Sequence, residues 1–328
     1  MRAVFVEKLW GGVRIGMLPA KRRPGHEPPT TIGVGESWEV ADLPEGQSVV
    51  DDQAIAAPYV GLALGAMVER YGPAVVGTAH VPERFPLLVK LIDAAEPLSV
   101  QVHPGADYAK DHPGTFSKEE AWLVVDVAAG GTVLHGFVDG VSRELFVEAT
   151  RRGLPHELMR SVAVQRGDVM HVSPGIVHAI GAGVMILEVQ EPSDTTFRVW
   201  DYDRVDVTGK KRALHLHEAL KVARFDQQPS ATTTPRPDAE GDLSLCETPR
   251  FSMRSMLVGG ERERVLAVSG ERAMVLHVVD GEAALTWDDG ARPTTLVMPQ
   301  GSSCVLPASC GGVVFVARGR PSRVVVMQ

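Results

Sequence analysis

Short apolar runs separated by glycine- and proline-containing turns recur along the chain, and they favour a fold built from many short strands. In the middle of the chain these runs cover residues 162–165, 169–172 and 176–180. Past residue 242 the pattern returns in the runs 272–279, 282–287, 294–298, 303–306 and 312–316. Regular short strands at this spacing are typical of a β-sandwich or a double-sheet jelly roll. The 33 glycines and 23 prolines among 328 residues agree with so many turns.

Residues 226–242 are rich in Gln, Pro, Thr and Ser and hold almost no large apolar side chain, which predicts a linker. We therefore expect a first domain over residues 1–225 and a second, smaller module over residues 243–328. A short echo between residues 165–174 and 299–307 indicates that the two are related β-sandwich modules. Short helices are predicted at 60–71, at 142–152 with Ser142 as N-cap, and at 216–223.

Composition excludes several classes of function. The formal net charge is −8, no long run of Lys or Arg is present, and aromatic residues make up only 5% of the chain, so a nucleic-acid partner is not expected. No stretch of about 18 apolar residues runs uninterrupted, so no membrane partner is expected either. The three cysteines lack paired spacing, which fits a reduced, cytoplasmic protein. No segment indicates an obligate protein partner.

The segment Ser99-Val100-Gln101-Val102-His103 alternates polar and apolar residues. In a strand, its three polar side chains face one side and the two valines face the other. We expect the valines to point into the sandwich. The amide of Gln101 and the imidazole of His103 then lie about 7 Å apart on the opposite side, close enough to converge on one cation. The alternative is an ordinary solvated strand face.

Two further residues complete a candidate metal site. His178 opens a predicted strand after a tight turn, and Glu120 precedes the apolar run 121–127. Each has an ordinary alternative, a satisfied histidine or a strand-end charge. Together with Gln101 and His103 they supply two imidazoles, a carboxylate and an amide oxygen, a set that suits Zn²⁺ in an open catalytic site and also Mn²⁺, Fe²⁺ or Co²⁺. His215 and His217 form an H-x-H on a predicted helix, where they do not share a face, and are interpreted as surface residues.

Four long stretches resemble type I mannose-6-phosphate isomerases in their shorter bacterial form. They are residues 86–104 (PLLVKLIDAAEPLSVQVHP), 118–122 (KEEAW), 167–179 (GDVMHVSPGIVHA) and 187–204 (LEVQEPSDTTFRVWDYDR). Residues 10–12 (WGG) and 35–39 (GESWE) also match the family. The clear resemblance covers residues 1–223. It implies a mainly β fold of two cupin-like β-sandwich modules with a few short helices, the second module being degenerate.

The resemblance also implies roles for individual residues. The family's ligands for one zinc ion per chain fall on Gln101, His103, Glu120 and His178. The catalytic arginine falls on Arg198, a lysine near the metal on Lys118, and an acidic site residue on Glu188. The serine associated with substrate phosphate falls on Ser99. Longer members carry lysine where this chain has Arg204, and they carry a helical insertion after His103 that this chain lacks.

The implied substrate is a small phosphorylated hexose, and the implied reaction moves a proton between C1 and C2 of the open-chain sugar through an enediolate. A divalent cation and Arg198 would stabilise the developing charge. Lys118, Glu188 and a metal-bound hydroxide are alternative proton carriers. Arg204, Lys90 and Ser99 are the candidates for binding phosphate, with Lys90 expected to point into the polar pocket rather than to the surface.

Two other functions fit the same residues. The first is a non-catalytic sugar-phosphate-binding protein, because a fold alone does not fix function. The presence of Arg198 and Lys118 argues against it, since a binding protein needs no proton carrier. The second is a different metal-dependent cupin enzyme, such as an iron dioxygenase. The second module has one histidine on its comparable strand, His277, without a clustered acidic partner in the sequence, so no metal is expected there.

Overall fold

The computed structural model describes residues 1–29, 33–51, 59–78, 83–259, 263–288, 293–317 and 320–328. Its strands are β1 (Val4–Gly12), β2 (Val34–Val40), β3 (Asp42–Leu43), β4 (Gly46–Gln47), β5 (Leu88–Asp93), β6 (Val100–Val102), β7 (Glu120–Val127), β8 (Thr132–Phe137), β9 (Met159–Ala163), β10 (Val169–Val172), β11 (His178–Ile180), β12 (Val184–Gln190), β13 (Phe197–Trp200), β14 (Leu243–Glu247), β15 (Ser252–Val258), β16 (Arg264–Ala267), β17 (Met274–Asp280), β18 (Glu282–Asp288), β19 (Pro293–Pro299), β20 (Ser303–Leu306), β21 (Gly312–Ala317) and β22 (Ser322–Met327).

The helices are short and lie mostly between the strands of the first module. The α-helices are α1 (Arg14–Met17), α2 (Leu64–Tyr71), α3 (Pro73–Val76), α4 (Ala106–Asp111), α5 (Arg143–Arg151) and α6 (Leu216–Val222), and 3-10 turns cover Pro19–Arg22, Pro155–Leu158 and Ala308–Cys310. Among the described residues, no helix is both long enough and apolar enough to cross a membrane. The fold is mainly β, as predicted.

Two antiparallel sheets form the first sandwich. The order in the larger sheet is β1-β2-β5-β12-β7-β10, and in the smaller sheet β13-β6-β11-β8-β9. Apolar side chains from both sheets, including Trp10, Ile92, Trp122, Val133 and Ile186, pack between them. This packing fixes the separation of the two sheets, across which the candidate site is built.

A second sandwich follows in the chain, with sheet orders β14-β15-β22-β17-β20 and β16-β21-β18-β19. The interior between these sheets is apolar and includes Leu276, Leu285 and Phe315. On its other face, the five-stranded sheet packs against the larger sheet of the first sandwich, where Val89 and Leu187 join Val275 and Val325 in one core. The four sheets therefore stack as layers, and the larger first sheet is buried on both faces.

The second sandwich explains why several strands of the first module read as continuous apolar runs. All residues of β5 and β12 are buried, because one face of each strand contributes to the first interior and the other contacts the second sandwich. Strands covered on both faces lose the simple apolar–polar alternation of a half-exposed strand. Lys90 and Glu188 interrupt these runs, and both are buried.

The predicted linker has no regular secondary structure, but it is attached to the first sandwich. Val169 and Thr233 exchange backbone hydrogen bonds of 2.8 and 3.0 Å, and the Thr234 hydroxyl donates to Asp168 Oδ1 at 2.6 Å. The chain therefore crosses the edge strand β10 on its way to the second sandwich. These contacts hold the segment in place without any apolar core of its own.

The predicted helices are confirmed, with small differences in their ends. Ser142 caps α5, since its hydroxyl accepts the backbone N–H of Leu145 at 3.2 Å, and α6 begins at the predicted residue. The helix predicted over 60–71 begins only at Leu64, because the residues before it form a turn and a β-bridge between Ala63 and Val49. The strand predicted at 176–180 begins at His178.

Candidate metal centre

Two rows of side chains face each other inside the first sandwich. Residues directly opposite on neighbouring antiparallel strands lie on the same face of a sheet. In the larger sheet this register aligns Trp38, Lys90, Glu188 and Trp122. In the smaller sheet it aligns Arg198, Gln101, His178 and His135. The Trp122 and His178 rings, whose centroids are 5.4 Å apart, show that the rows meet.

The two faces of the strand containing Gln101 are oriented opposite to the prediction. Val100 and Val102 do not enter the sandwich; they pack on the outer face of the smaller sheet against residues such as Phe146 of α5 and Ala219 of α6. The polar face of this strand points inward instead. The reason is that α5 and α6 cover the outer face and provide apolar contacts there, which leaves the interior for the polar side chains.

Three of the four predicted metal ligands form a compact buried cluster. One ligand atom from each of His103, Glu120 and His178 lies within 4.8 Å of the others. His103 Nε2 is 3.5 Å from Glu120 Oε2, and His178 Nε2 is 3.4 Å from Glu120 Oε1. The three side chains are no more than 1% exposed. Glu120 comes from the larger sheet and the histidines from the smaller sheet or its loops, so the cluster bridges the sandwich.

Backbone carbonyls orient both imidazoles. His103 Nδ1 donates to the carbonyl of Thr195 at 3.0 Å, and His178 Nδ1 donates to that of Ile176 at 2.9 Å. With the proton held on Nδ1, the Nε2 lone pair of each ring is directed toward the cluster. A hydrogen bond of this kind from the second ring nitrogen is what orients histidines that bind metals.

The fourth predicted ligand, Gln101, lies beside the cluster. Its side-chain nitrogen is 3.3 Å from His178 Nε2, and its oxygen accepts a hydrogen bond from Ser99 at 3.2 Å. Because the oxygen and nitrogen of an amide occupy nearly equivalent positions, rotation by 180° presents the oxygen to the centre of the cluster. Ser99 is thus placed to hold the Gln101 amide.

The electrostatics of the cluster favour an ionised carboxylate and neutral imidazoles. Burial alone would raise the pKa of Glu120, but the Lys118 ammonium, by its charge and a hydrogen bond, holds it well below its usual range. Burial lowers the pKa of His103 and of His178, and the charge of Lys118 adds to the effect at His103. These are the protonation states that a divalent cation requires of its ligands.

The Lys118 ammonium lies inside the same cluster. Its Nζ is 2.9 Å from Glu120 Oε2 and 3.1 Å from His103 Nε2, and the side chain is 5% exposed. A cation in the cluster would share these two groups with the ammonium. The Lys118 ammonium thus contacts two of the predicted metal ligands.

The donor set fits a divalent cation. Two imidazole nitrogens and a carboxylate, with an amide oxygen in reach, form an N/O set typical of open catalytic sites of borderline metals. Glu120 Oε1 is buried and accepts no hydrogen bond from any described residue. A buried oxygen without a donor is costly to leave unsatisfied, and a cation between it and the imidazoles would satisfy it.

Glu188 and Lys90 form a second polar group in the facing row. Glu188 Oε2 is 3.5 Å from Lys90 Nζ, and its Oε1 accepts a hydrogen bond from the Trp122 indole at 3.1 Å. Burial and the charge of Glu120 raise the pKa of Glu188 to about 7. Lys90 points into the interior, as expected, and its ammonium lies 5.3 Å above the Trp38 ring.

The arginines lie together at one end of the smaller sheet, around Asp201. Arg204 uses its guanidinium within the protein, donating to the carbonyls of Pro97 and Asp201 and to the Asp201 carboxylate at 2.5 Å. Arg212 donates to the same carboxylate. Arg198 donates through one terminal nitrogen to the carbonyl of Ala213 at 3.0 Å. Its buried Nε–H has no hydrogen-bond partner among the described residues.

Comparison with known proteins identifies the family of this chain. The family model described as phosphomannose isomerase type I, catalytic domain, matches residues 1–120. The mannose-6-phosphate isomerase ManA of Bacillus subtilis (strain 168) is 32% identical over 317 residues, which cover 94% of this chain and 93% of ManA. The chain belongs to the type I phosphomannose isomerase family.

Two further family members extend the comparison. Mannose-6-phosphate isomerase from Streptococcus mutans is 36% identical over 226 residues, covering 69% of this chain and 67% of that protein. The crystal structure of the mannose 6-phosphate isomerase from Bacillus subtilis superposes with a TM-score of 0.85 at 28% identity and covers 99% of this chain and 98% of that one. Both sandwiches are therefore part of the shared family fold.

The structure also identifies site residues that sequence reasoning missed. Trp122 holds Glu188, and His135 lies directly opposite His178 in the next strand. His135 is 1% exposed, and its Nε2 has no hydrogen-bond partner within the described ranges. The available signal was period-two spacing: Trp122 is two residues beyond Glu120, and His135 is a polar residue at a core-facing position of an otherwise apolar strand.

His217 is exposed, as predicted, and His215 is less exposed than the surface interpretation expected. His215 is half-buried and precedes α6, and its Nδ1 accepts the backbone N–H of Arg198 at 3.2 Å. In return, the His215 backbone N–H donates to the Arg198 carbonyl at 2.7 Å. The H-x-H pair was assigned to a helix, but only the second histidine is helical, so the first is free to contact β13.

Proposed function

We propose that this protein interconverts mannose 6-phosphate and fructose 6-phosphate, using one zinc ion bound by Gln101, His103, Glu120 and His178. The observation that carries the proposal is the buried cluster of two oriented imidazoles and one ionised carboxylate, directly beside a carboxyl group whose pKa is about 7. Two related proteins carry the same activity in their names, and their matches cover 94% and 69% of this chain. Glu188 and the ligand Glu120 come from the larger sheet, and the other three proposed ligands come from the smaller sheet or its loops.

A divalent ion held by these residues would supply positive charge to stabilise the negative charge that develops on O1 and O2 of the open-chain sugar. Zinc is favoured by the two imidazole nitrogens, since Mg²⁺ and Ca²⁺ prefer oxygen ligands. Arg198 lies on β13, next to the strand of Gln101, and would stabilise the same negative charge on the sugar oxygens. Its guanidinium stays cationic, and its Nε–H is still available for a substrate oxygen.

Glu188 is the proposed proton carrier. In the direction from aldose to ketose, its carboxylate takes the proton from C2 and returns it to C1, while the hydroxyl proton moves from O2 to O1. The carbon–hydrogen bond lost at C2 is thereby replaced by one at C1, and no electron leaves the sugar. A pKa of about 7 suits both steps, because the group accepts and releases a proton near neutral pH.

Lys118 is the alternative carrier, and its position argues for a different role. Its ammonium is engaged by Glu120 and contacts a metal-binding nitrogen. A protonated amine in that position cannot accept the C2 proton, but it can donate hydrogen bonds to a substrate oxygen. We therefore assign Lys118 to charge stabilisation and Glu188 to proton transfer.

The phosphate group has three candidate partners, Ser99, Lys90 and Arg204. Each of them already forms a hydrogen bond or ion pair inside the protein: with Gln101, with Glu188 and with Asp201, respectively. A phosphate dianion would have to replace one of these contacts or add to it. Of the three, Arg204 has the side chain best suited to phosphate, since a planar guanidinium can donate two parallel hydrogen bonds to it.

The direct test is metal analysis of the purified protein combined with a coupled assay for fructose 6-phosphate. We expect about one zinc per chain, loss of activity after chelation, and recovery when zinc is restored. Full activity in metal-free protein would contradict the proposal. Stoichiometric zinc and mannose 6-phosphate binding without turnover would instead support a non-catalytic binding protein.

A further inference from the structure

A cavity of about 410 Å³ lies away from the metal cluster, between the N-terminal segment and the second sandwich. None of the four candidate metal ligands lines it. One wall is formed by residues of the apolar interior of the second sandwich, among them Leu285, Leu296, Met298 and Leu306. Cavities of about 300–1,000 Å³ at the mouth of a β-barrel or between domains are common sites for small molecules.

The opposite wall carries charged side chains, and most of them are already paired. Lys21 is buried and lies 2.7 Å from Glu39, and His26 lies 2.9 Å from Asp51. Arg23, half-buried beside them, lines the cavity without an ion pair or side-chain hydrogen bond to any described residue. Among the charged side chains on this wall within the described ranges, Arg23 is thus the one without an ion pair or hydrogen bond; the Met1 ammonium, which also lines the cavity, donates to the Ser303 carbonyl at 2.8 Å.

Aromatic side chains complete the enclosure. Trp287 of β18 is only partly buried against the core of the second sandwich, and its indole forms part of the cavity wall. Tyr59 and Tyr71, with ring centroids 5.5 Å apart, line another side. Flat ring systems pack well against such surfaces.

We propose that this cavity is a second ligand site, which binds a small anion carrying an aromatic or other flat apolar body. The apolar wall and Trp287 receive the body, and Arg23 receives the anionic group. The site does not depend on the proposed isomerase chemistry, because it shares no residue with the metal cluster.

The test uses two dyes with the same ring system and different charge. The anion 8-anilinonaphthalene-1-sulfonate and the neutral N-phenyl-1-naphthylamine are titrated into the full-length protein, with binding followed by fluorescence. The variants are Arg23→Gln, which removes the cation, and Trp287→Ala, which removes part of the apolar wall. Arg22→Gln is the matched control, since Arg22 is exposed, adjacent in the chain and absent from the cavity wall.

The wild type is expected to bind the sulfonate at a single saturable site. Arg23→Gln should weaken sulfonate binding about tenfold, the size of one charge-assisted hydrogen bond, and leave the neutral dye within about twofold. Trp287→Ala should weaken both dyes, and Arg22→Gln neither. Equal sulfonate affinity in the Arg23→Gln and Arg22→Gln proteins would overturn the proposal, as would dye binding unaffected by Trp287→Ala.

Isomerase activity of every variant is measured in parallel. Arg23→Gln and Arg22→Gln should retain wild-type turnover, which shows that the fold is intact. An inactive wild type would contradict the proposed function and leave the dye result for the cavity unaffected, so the two proposals fail separately.

Discussion

The two sandwiches have the same layered arrangement of antiparallel strands, but their interiors differ in polarity. The first holds His103, Glu120 and His178 between its sheets, together with Lys118 and Glu188. The interior of the second, among the described residues, is an apolar cluster. Its own strand histidine, His277, points the other way, toward the first module. Its Nδ1 contacts the hydroxyl of Ser303 on the neighbouring strand at 2.8 Å, and that hydroxyl donates to Glu39 of the first module at 2.9 Å.

The charged groups inside the first sandwich must be stabilised by the rest of the protein. Removing charged groups from water costs several kcal/mol per ion, even when they are paired. The first sandwich meets this cost through ion pairs such as Lys118–Glu120 and through the apolar contacts on the outer face of its larger sheet. Those contacts come from the second sandwich, which therefore acts as a stabilising partner of the module that carries the site.

The largest expected effect comes from removing a ligand in the polar interior. His178→Ala should lose its bound zinc, and its activity should fall by more than about a hundredfold. Mutating even a residue that only orients a metal ligand lowers metal affinity or activity by about 10–100-fold. Metal analysis and the coupled assay measure both quantities. His217→Ala, an exposed histidine, is the control and should keep both. Full zinc content in the His178→Ala protein would show that the cluster is not the metal site.

A second change separates proton transfer from metal binding. Glu188→Gln should retain zinc and lower kcat by about 10²–10⁴-fold, the usual contribution of a general base. Glu282→Gln, on a strand of the second sandwich, should change neither quantity. If Glu188→Gln keeps more than a tenth of wild-type kcat while Lys118→Met abolishes it, proton transfer belongs to Lys118.

A substitution in the apolar interior of the second sandwich should lower the stability of the protein but leave its activity unchanged. Leu276 is fully buried in the second sandwich, so Leu276→Ala should lower the free energy of unfolding by about 2–5 kcal/mol. Urea unfolding measures this loss, and zinc content and KM should stay at wild-type values at low temperature. A loss of zinc at temperatures where the variant is folded would show that the two interiors are more closely coupled than their packing indicates.

The smallest effect concerns the histidine between the modules. Burial lowers the pKa of His277 to about 4, with Glu39 opposing the shift and Lys21 adding to it. The unfolded chain takes up a proton near pH 6.5 and the folded protein only near pH 4, so stability falls as the pH falls through this window. This residue accounts for up to about 3 kcal/mol of that loss.

The His277→Asn variant should therefore lose less stability between pH 6.5 and pH 4 than the wild type, as measured by urea unfolding at each pH. Other buried histidines will preserve part of the slope. His217→Asn should leave the wild-type slope unchanged, because that residue is exposed. Identical slopes for the wild type and His277→Asn would contradict the assignment.

Much of the site could be predicted because its residues stand out locally. The alternation around Gln101 and His103 is visible in five residues, and the long family stretches carry Glu120, Glu188 and His178. Ser142 predicted the start of α5 from its capping chemistry alone. These features depend on neighbours in sequence, which is why they could be predicted without the fold.

Other features depend on neighbours in space. The valines beside Gln101 turned outward because two distant helices cover that face, and His215 contacts Arg198 across seventeen positions in the chain. The hydrogen bonds of Arg204 and Arg212 to the Asp201 carboxylate likewise could not be predicted from the sequence. Strand spacing predicts which residues share a face, but not which face is covered.

The amino-acid sequence by itself determined the mainly β architecture, the family and the identity of the residues able to bind a metal. Only the tertiary structure decided that the polar side of the Gln101 strand faces inward and that Glu120 and the two histidines meet across the sandwich. It also placed the second sandwich against the larger sheet. The physical reason is that a side chain's type and spacing are local properties, whereas its burial and partners depend on how the sheets and helices pack.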